Sequence, residues 1–221
     1  MIAVENTVLV LLAAGRSRRY GDVGSKLDED FLGHPLGLHV ATTLQAVPFL
    51  QRVAVTGRAR LDYAAHGFRV LANDTPDDGI ARSVVLGVAA AKERGADAVM
   101  LALADMPRVT AAHIHRLFDA ADGFDTVVAS SDGVEPSPPA LFGRNRFDFL
   151  LALEGDEGAR DLVRAGRHVV TSPAELIDVD TPAQLAELHA LVRSPERTFT
   201  RAAPASASLK QSIHDEAHRS G

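Results

Sequence analysis

The chain has 221 residues, 46% hydrophobic and 24% charged, with a formal net charge of −6. That length supports one full core with room for an appendage, and the acidic balance argues against a general role on nucleic acid. There is no cysteine, which excludes disulfides, thiolate nucleophiles and cysteine-based metal centres.

The N-terminus, "MIAVENT", lacks the basic region of a signal peptide. No apolar run reaches the roughly 18 residues of a membrane helix. These features suit a cytoplasmic protein without a membrane partner. The first strand is expected at "TVLVLL" from Thr7, and further strands at "VAVT" from Val53 and "FRVL" from Phe68. A helix follows in "IARSVVLGVAAAKERG", with Ile80, Val84, Val85 and Val88 at helical spacing. Next come a strand at "AVMLAL" from Ala98 and a helix capped by Thr110. Strands are then expected at "TVVAS" from Thr126, "HVV" from His168 and "LIDVD" from Leu176. In the last helix Thr181, Pro182 and Gln184 read as a capping box. Strands "TVLVLL" and "AVMLAL" are apolar on both faces, as central parallel strands are. The alternation predicts an α/β fold, a three-layer Rossmann-like sandwich around a mostly parallel sheet. Residues 1–193 form the expected domain. Residues 194–221 are a polar tail rich in Ala, Ser and Arg. Its "HDEAH", with His214 and His218, departs from the zinc-protease pattern and is read as solvated chain. His113 and His115 are read as surface or filler residues.

The segment "VLVLLAAGRSRRYGDVGSKL", Val8 to Leu27, turns abruptly from a buried strand to a small-residue turn rich in positive charge. Ligands of doubly wound sheets sit beyond the C-terminal strand ends. Ala13, Ala14 and Gly15 let a backbone approach a ligand, Gly15 can take a positive φ, and outward N–H groups cradle anions. Arg16, Arg18, Arg19 and Lys26 add charge, so the segment describes a polyphosphate site. It is not a dinucleotide-binding loop, a Walker A loop or a nucleophile elbow, because the required Gly, Ser or Thr positions are missing.

The order Leu12-Ala13-Ala14-Gly15-Arg16-Ser17-Arg18-Arg19-Tyr20-Gly21, then Lys26-Leu27, resembles the signature loop of MobA-like nucleotidyltransferases. Within them it looks most like the molybdenum-cofactor cytidylyltransferases. The resemblance continues through "GHPLGLH" from Gly33, "NDTPDDGIARSVVLG" from Asn73, "LALADMPRVT" with Asp105, "GDEGAR" from Gly155 and "IDVDTPAQL" with Asp180. These blocks keep the family order over about residues 7–190. Departures are Ser25 where Pro or Asp is common, Ala81 and Arg82 in place of small hydroxyl residues, and Ser137 in place of a Gly.

The resemblance implies attack by a phosphate monoester on the α-phosphate of CTP, with release of pyrophosphate. It assigns catalytic roles to Arg19, Lys26 and Asp105, and Mg²⁺ or Mn²⁺ binding to Asp105 and Asp180. Leu12, Ala13, Ala14, Gly15, Arg16, Ser17, Asn73, Gly79 and Ser83 would meet the nucleotide. Asp156 and Arg160 would face the acceptor, expected to be the molybdenum-bound pterin cofactor. A molybdenum-dependent oxidoreductase could receive the product. Taken alone, Asp180 is also consistent with a helix-start residue, and Asp178 shares its strand face. Two other functions are compatible: another NTP transferase of the same fold (guanylyl, or sugar- or polyol-phosphate cytidylyl), or a non-catalytic carrier of the cofactor. The Asp105 and Asp180 pair weighs against a pure carrier.

Overall fold

The computed structural model describes residues 1–15, 25–57, 60–76, 79–155 and 159–193. Arg16, Ser17, Arg18, Arg19, Asp156, His214, His218 and the whole tail 194–221 lie outside the described residues.

Strands β1 (Thr7–Ala13), β4 (Gln51–Thr56), β5 (Arg69–Ala72), β6 (Ala98–Leu103), β7 (Val127–Ser131), β8 (Pro136–Gly143) and β9 (Arg167–Val170) form one seven-stranded sheet in the order β5-β4-β1-β6-β8-β7-β9. A two-stranded hairpin of β2 (Asp30–Phe31) and β3 (His34–Pro35) stands apart. All ladders of the large sheet are parallel except those of β8, which runs antiparallel between β6 and β7. β1 lies between β4 and β6, with Leu12 opposite Val55 and Leu103. Its side chains alternate between two cores. Leu9, Leu11 and Ala13 join one, and Val8 and Val10 the other.

Helices α1 (His39–Thr43) and α3 (Ala111–Asp119) cover the first face through Val40, Ala41, Ile114, Leu117 and Phe118. Helices α2 (Ile80–Glu93), α4 (Phe147–Leu151) and α5 (Arg160–Ala165) cover the second through Val84, Val88, Phe147, Leu150 and Val163. This is the three-layer sandwich expected from the alternation of strands and helices.

A third, smaller core joins the hairpin to the C-terminal helix α6 (Pro182–Arg193). Phe31, Leu36, Ile177, Val179, Leu185 and Leu188 pack together there. The α6 N-terminus is capped as the sequence predicts. Gln184 N–H donates to Thr181 Oγ1 at 3.2 Å, while Gln184 Oε1 accepts from Asp180 N–H at 2.8 Å.

One expectation is corrected, and one strand lies where no element is expected from the sequence. "LIDVD" is not a sheet strand: residues 177–180 carry no strand assignment. The segment is pinned instead by Val179 N–H donating to the Asp105 carbonyl at 3.0 Å. Conversely, β8 arises where three prolines discourage a strand. They cluster at its first residues, where the pairing register with β7 shifts at Ala129/Ser130. The remaining half, Ala140 to Gly143, supplies the ladder to β6.

Helix α2 rests on β1 at Gly87, where an added Cβ would lie 2.3 Å from Val10 Cγ1. Val10 is β-branched and held between two neighbouring strands, so it has little room to turn away. Gly87→Ala gains about 1 kcal/mol of helix propensity but incurs an overpacking cost of about 1–3 kcal/mol. The variant is expected to melt at lower temperature than the parent. An unchanged Tm would show that α2 lifts off the sheet at no cost.

Candidate active site

The C-terminal ends of the parallel strands meet at one edge, and the described site residues are placed relative to it. Leu12 and Ala13 end β1, and Ala14 and Gly15 follow it. Ala104 N–H donates to the Leu12 carbonyl at 3.1 Å, which brings the β6 end and Asp105 beside this turn. Gly57, past the end of β4, lies against Ala14: its added Cβ would be 3.2 Å from Ala14 Cα. A side chain at position 57 would therefore push on the turn. Gly15 does not take the positive φ that the sequence reading allows it. An added Cβ there meets none of the described atoms within 4 Å.

Lys26, Asp105 and Asp180 converge at this edge. Lys26 Nζ lies 2.7 Å from Asp105 Oδ2 and 2.8 Å from Asp180 Oδ1. Lys26 and Asp180 are 154 positions apart in sequence. Packing explains how they meet. Ser25 caps the short turn Lys26–Asp28 by accepting from Leu27 N–H, and Leu27 is buried in the first core. Val179 anchors the other segment in the third core. Burial alone would lower the Lys26 pKa, but the charges and hydrogen bonds of Asp105 and Asp180 outweigh it and hold the ammonium above its ordinary value. Lys26 is thus a cation at working pH. Asp178 precedes Asp180 by two residues in the same segment. Crowding of protein around its carboxyl, followed by the negative charges of Asp105 and Asp180, raises its pKa.

The carboxylate pair fits a divalent ion. Asp105 Oδ1 is buried and accepts no hydrogen bond, an arrangement that is costly unless a cation or donor reaches it. Among the described residues no three His, Cys, Asp or Glu side chains form a metal cluster. Two carboxylates suffice for magnesium, which takes its other ligands from phosphates and water.

On the far side of β1, Asn73 follows β5 and is buried. Its Nδ2 donates to Ser83 Oγ at 2.9 Å and its Oδ1 accepts from Thr75 N–H at 3.1 Å. These partners fix the amide orientation and tie Asn73 to the first turn of α2. Gly79 begins that turn at φ 98°, ψ 176°, a conformation a side chain rarely adopts. Ala81 N–H donates to the Gly155 carbonyl at 3.1 Å, so the start of α2 also touches the loop before α5. Arg160, the first residue of α5, is exposed.

His113 and His115 face opposite ways: His113 is fully buried, whereas His115 is exposed. Ser130 Oγ donates to the Pro139 carbonyl at 2.8 Å, so His113 Nε2, 2.7 Å from Ser130 Oγ, carries a proton and donates to it. Nδ1 then accepts from Arg116 at 3.1 Å. Burial is the main cause of a lowered His113 pKa. Glu175 closes the network by accepting from the Thr110 and Thr171 hydroxyls. Burial alone would raise Glu175, yet these hydroxyls, His113 and Arg116 keep its carboxylate below the usual range. Sequence spacing gave no signal for this network, because it joins α3, β7, β8 and the turn after β9.

A sheet with one antiparallel strand, a small-residue turn after β1 and two edge carboxylates around a lysine define a nucleotidyltransferase-type α/β protein. The family model described as "MobA-like NTP transferase domain" matches residues 9–170, and the chain belongs to this family of nucleotidyltransferases. It is 30% identical over 193 residues to "Purine catabolism protein PucB" of Bacillus subtilis strain 168, covering 79% of this chain and 92% of that protein. Rv0371c from Mycobacterium tuberculosis H37Rv, solved in complex with manganese, is 26% identical with a TM-score of 0.64 over 83% of this chain and 98% of that one. The inositol-1-phosphate CTP transferase of T. maritima shares the fold at a TM-score of 0.60 and 14% identity, over 90% of this chain and 100% of that one. Among the described residues no helix is long and apolar enough to cross a membrane.

Proposed function

We propose that this chain transfers CMP from CTP to a phosphate-bearing acceptor, the molybdenum-bound pterin cofactor, and that the product passes to a molybdenum-dependent oxidoreductase. The observation that carries the phosphoryl-transfer part is the junction of Lys26, Asp105 and Asp180 beside the β1 turn. The cytidylyl part is supported by Ala14 in "LAAG", which resembles the cytidylyl branch of the family. The manganese complex of Rv0371c supports a divalent ion.

An acceptor phosphate oxygen attacks the α-phosphorus. A new P–O–P linkage forms, the bond to the β-phosphate oxygen breaks, and pyrophosphate leaves with the electron pair. The chain's task is to position the reactants and to place positive charge where negative charge accumulates. Lys26 would supply one such charge, and Arg19 a second. Asp105 and Asp180 would hold Mg²⁺ or Mn²⁺, which neutralises phosphate charge when bound. Asn73 and Ser83 would border the base and ribose, with Gly79 letting the backbone approach. Asp156 and Arg160 would face the acceptor.

Pyrophosphate release from CTP, UTP, GTP and ATP, with and without the pterin cofactor, tests this reading. CTP is expected to exceed GTP by about tenfold or more in kcat/KM, the discrimination that a few base-edge contacts supply. EDTA should abolish turnover and Mg²⁺ or Mn²⁺ restore it. A kcat/KM for GTP equal to or above that for CTP moves the chain to the guanylyl branch. Cofactor binding without pyrophosphate release from any nucleotide makes it a carrier.

A further inference from the structure

Asp180 is not held by the sheet. Beyond the short turn Pro173–Glu175, the chain up to Asp180 has no strand assignment, so its position depends on ties to neighbouring chain. Its neighbour is the loop after β6, residues 105–110, which carries Asp105. Val179 N–H donates to the Asp105 carbonyl at 3.0 Å, and Thr110 Oγ1 donates to Glu175 Oε1. The pairings 105–179 and 110–175 set the two segments antiparallel and tie them at both ends. Asp105 lies five residues before Thr110, and Asp180 five residues after Glu175. One end of this ladder therefore sits at the carboxylate pair and the other at Glu175.

The Glu175 end is built for a carboxylate. The Glu175 side chain is only 13% exposed, and it accepts a second hydroxyl, Thr171 Oγ1, just past β9. Both hydroxyls are committed as donors to it. Thr110 Oγ1 accepts from His113 N–H at 3.1 Å, and Thr171 Oγ1 accepts from Arg116 at 2.9 Å, so the proton of each points to Glu175. A carboxylate only accepts and can meet both. Arg116, 3.6 Å from Glu175 Oε2, balances its charge.

We propose that Glu175 is a positioning residue for the metal site: through Thr110 it fixes how the Asp105 and Asp180 segments lie against each other, and so how well the two carboxylates hold a divalent ion. The proposal rests on the reading of Asp105 and Asp180 as the metal carboxylates. Glu175 touches neither ion nor nucleotide and acts through the backbone of both segments. Loss of groups that orient metal ligands typically costs about 10–100-fold in affinity, and a group acting at this remove belongs at the low end. Glutamine has the same shape but a single acceptor oxygen, and its amide nitrogen would face a hydroxyl proton. Glu175→Gln therefore loosens the tie without emptying the space.

Mn²⁺ binding to the full chain with CTP and no acceptor, read from the electron-paramagnetic signal of free Mn²⁺, tests this, with a melting curve for each variant. Glu175→Gln is expected to weaken Mn²⁺ binding about tenfold. Thr110→Ser keeps the hydroxyl and should bind as the parent does. Thr171→Val removes the other hydroxyl but leaves the Thr110 tie, so it should melt earlier and still bind Mn²⁺ like the parent. Thr110→Asp breaks the tie from the exposed side and serves if Glu175→Gln does not fold. Aspartate still caps α3 but cannot donate to Glu175. Its added negative charge by itself favours a cation, so a loss of Mn²⁺ affinity there reports position. Parent-like Mn²⁺ affinity in Glu175→Gln or Thr110→Asp, with a lowered Tm, makes the network a support of the fold alone; it overturns the proposal and leaves the metal reading standing. A loss in Thr171→Val equal to that in Glu175→Gln also overturns it, because affinity then follows general loosening. Absence of Mn²⁺ binding to the parent chain with CTP overturns the metal reading and the proposal together.

Discussion

Asp105→Asn is expected to lower kcat by about 10² or more while the chain still folds, in line with losing electrostatic stabilisation of a phosphoryl transition state. The fold should survive because the Asp105 backbone does the structural work: its carbonyl accepts from Val179 N–H, a bond the substitution keeps. The side chain instead carries one oxygen bonded to Lys26 and one buried oxygen with no partner. Asparagine keeps the shape and removes the charge. Asp180→Asn should show a loss of the same order, although its side chain is 33% exposed against 20% for Asp105. The competing account is that Asp180 merely starts α6, where its N–H already donates to Gln184 Oε1 at 2.8 Å. Steady-state kcat with a melting curve for each variant decides between them. Near-full activity in Asp180→Asn leaves Asp180 as a helix-start residue and passes its role to Asp178 or to a single-carboxylate site.

The parts of the molecule that local sequence controls were legible. β1 and β6 are apolar on both faces, α2 carries its spacing, and α3 and α6 carry their caps. Other features depend on distant partners. β8 was hidden because proline content is a poor guide when the prolines occupy only the irregular end of a strand. "LIDV" alternates like a strand, but its Ile177 and Val179 pack with Phe31 and Leu36 of the hairpin region rather than joining the sheet. His113 looked like an ordinary helix residue. Its burial follows from Ser130 and Arg116, which no local pattern connects to it. The candidate site divides the same way. Asp105 could be placed at a strand end from sequence alone, and Asn73 near the start of α2. The direct bonds of Lys26 to both carboxylates required the third core, which docks the α6 segment beside the turn that carries Lys26.

Arg19→Ala is expected to reduce turnover by about 10²–10³, the effect of losing one donor aimed at developing charge, whereas Arg18→Ala should be milder. Both residues lie outside the described part of the chain, so the expectation rests on the flanks and the resemblance. Gly15 ends the β1 turn at the site edge, and Lys26, on the other side of the segment, bonds Asp105 and Asp180 there. The described flanks of the segment thus meet at one edge of the site. Only Arg19 stands at the arginine position of the MobA-like signature; Arg16 and Arg18 fall at variable ones. The physical distinction is between a directed donor and a diffuse field. An arginine that grips a phosphate oxygen in the transition state lowers kcat when removed, and lysine restores little because the planar fork is lost. An arginine that only raises the local potential changes the nucleotide on-rate, and its effect fades as salt rises past the Debye screening of the surface. The measurement is therefore kcat and kcat/KM for Arg18→Ala, Arg19→Ala and Arg19→Lys at low and high ionic strength. A salt-independent loss in kcat confined to the two Arg19 variants supports a directed role. Equal, salt-sensitive losses at positions 18 and 19 would make the segment a diffuse positive patch and leave Lys26 as the phosphate-facing cation of the site.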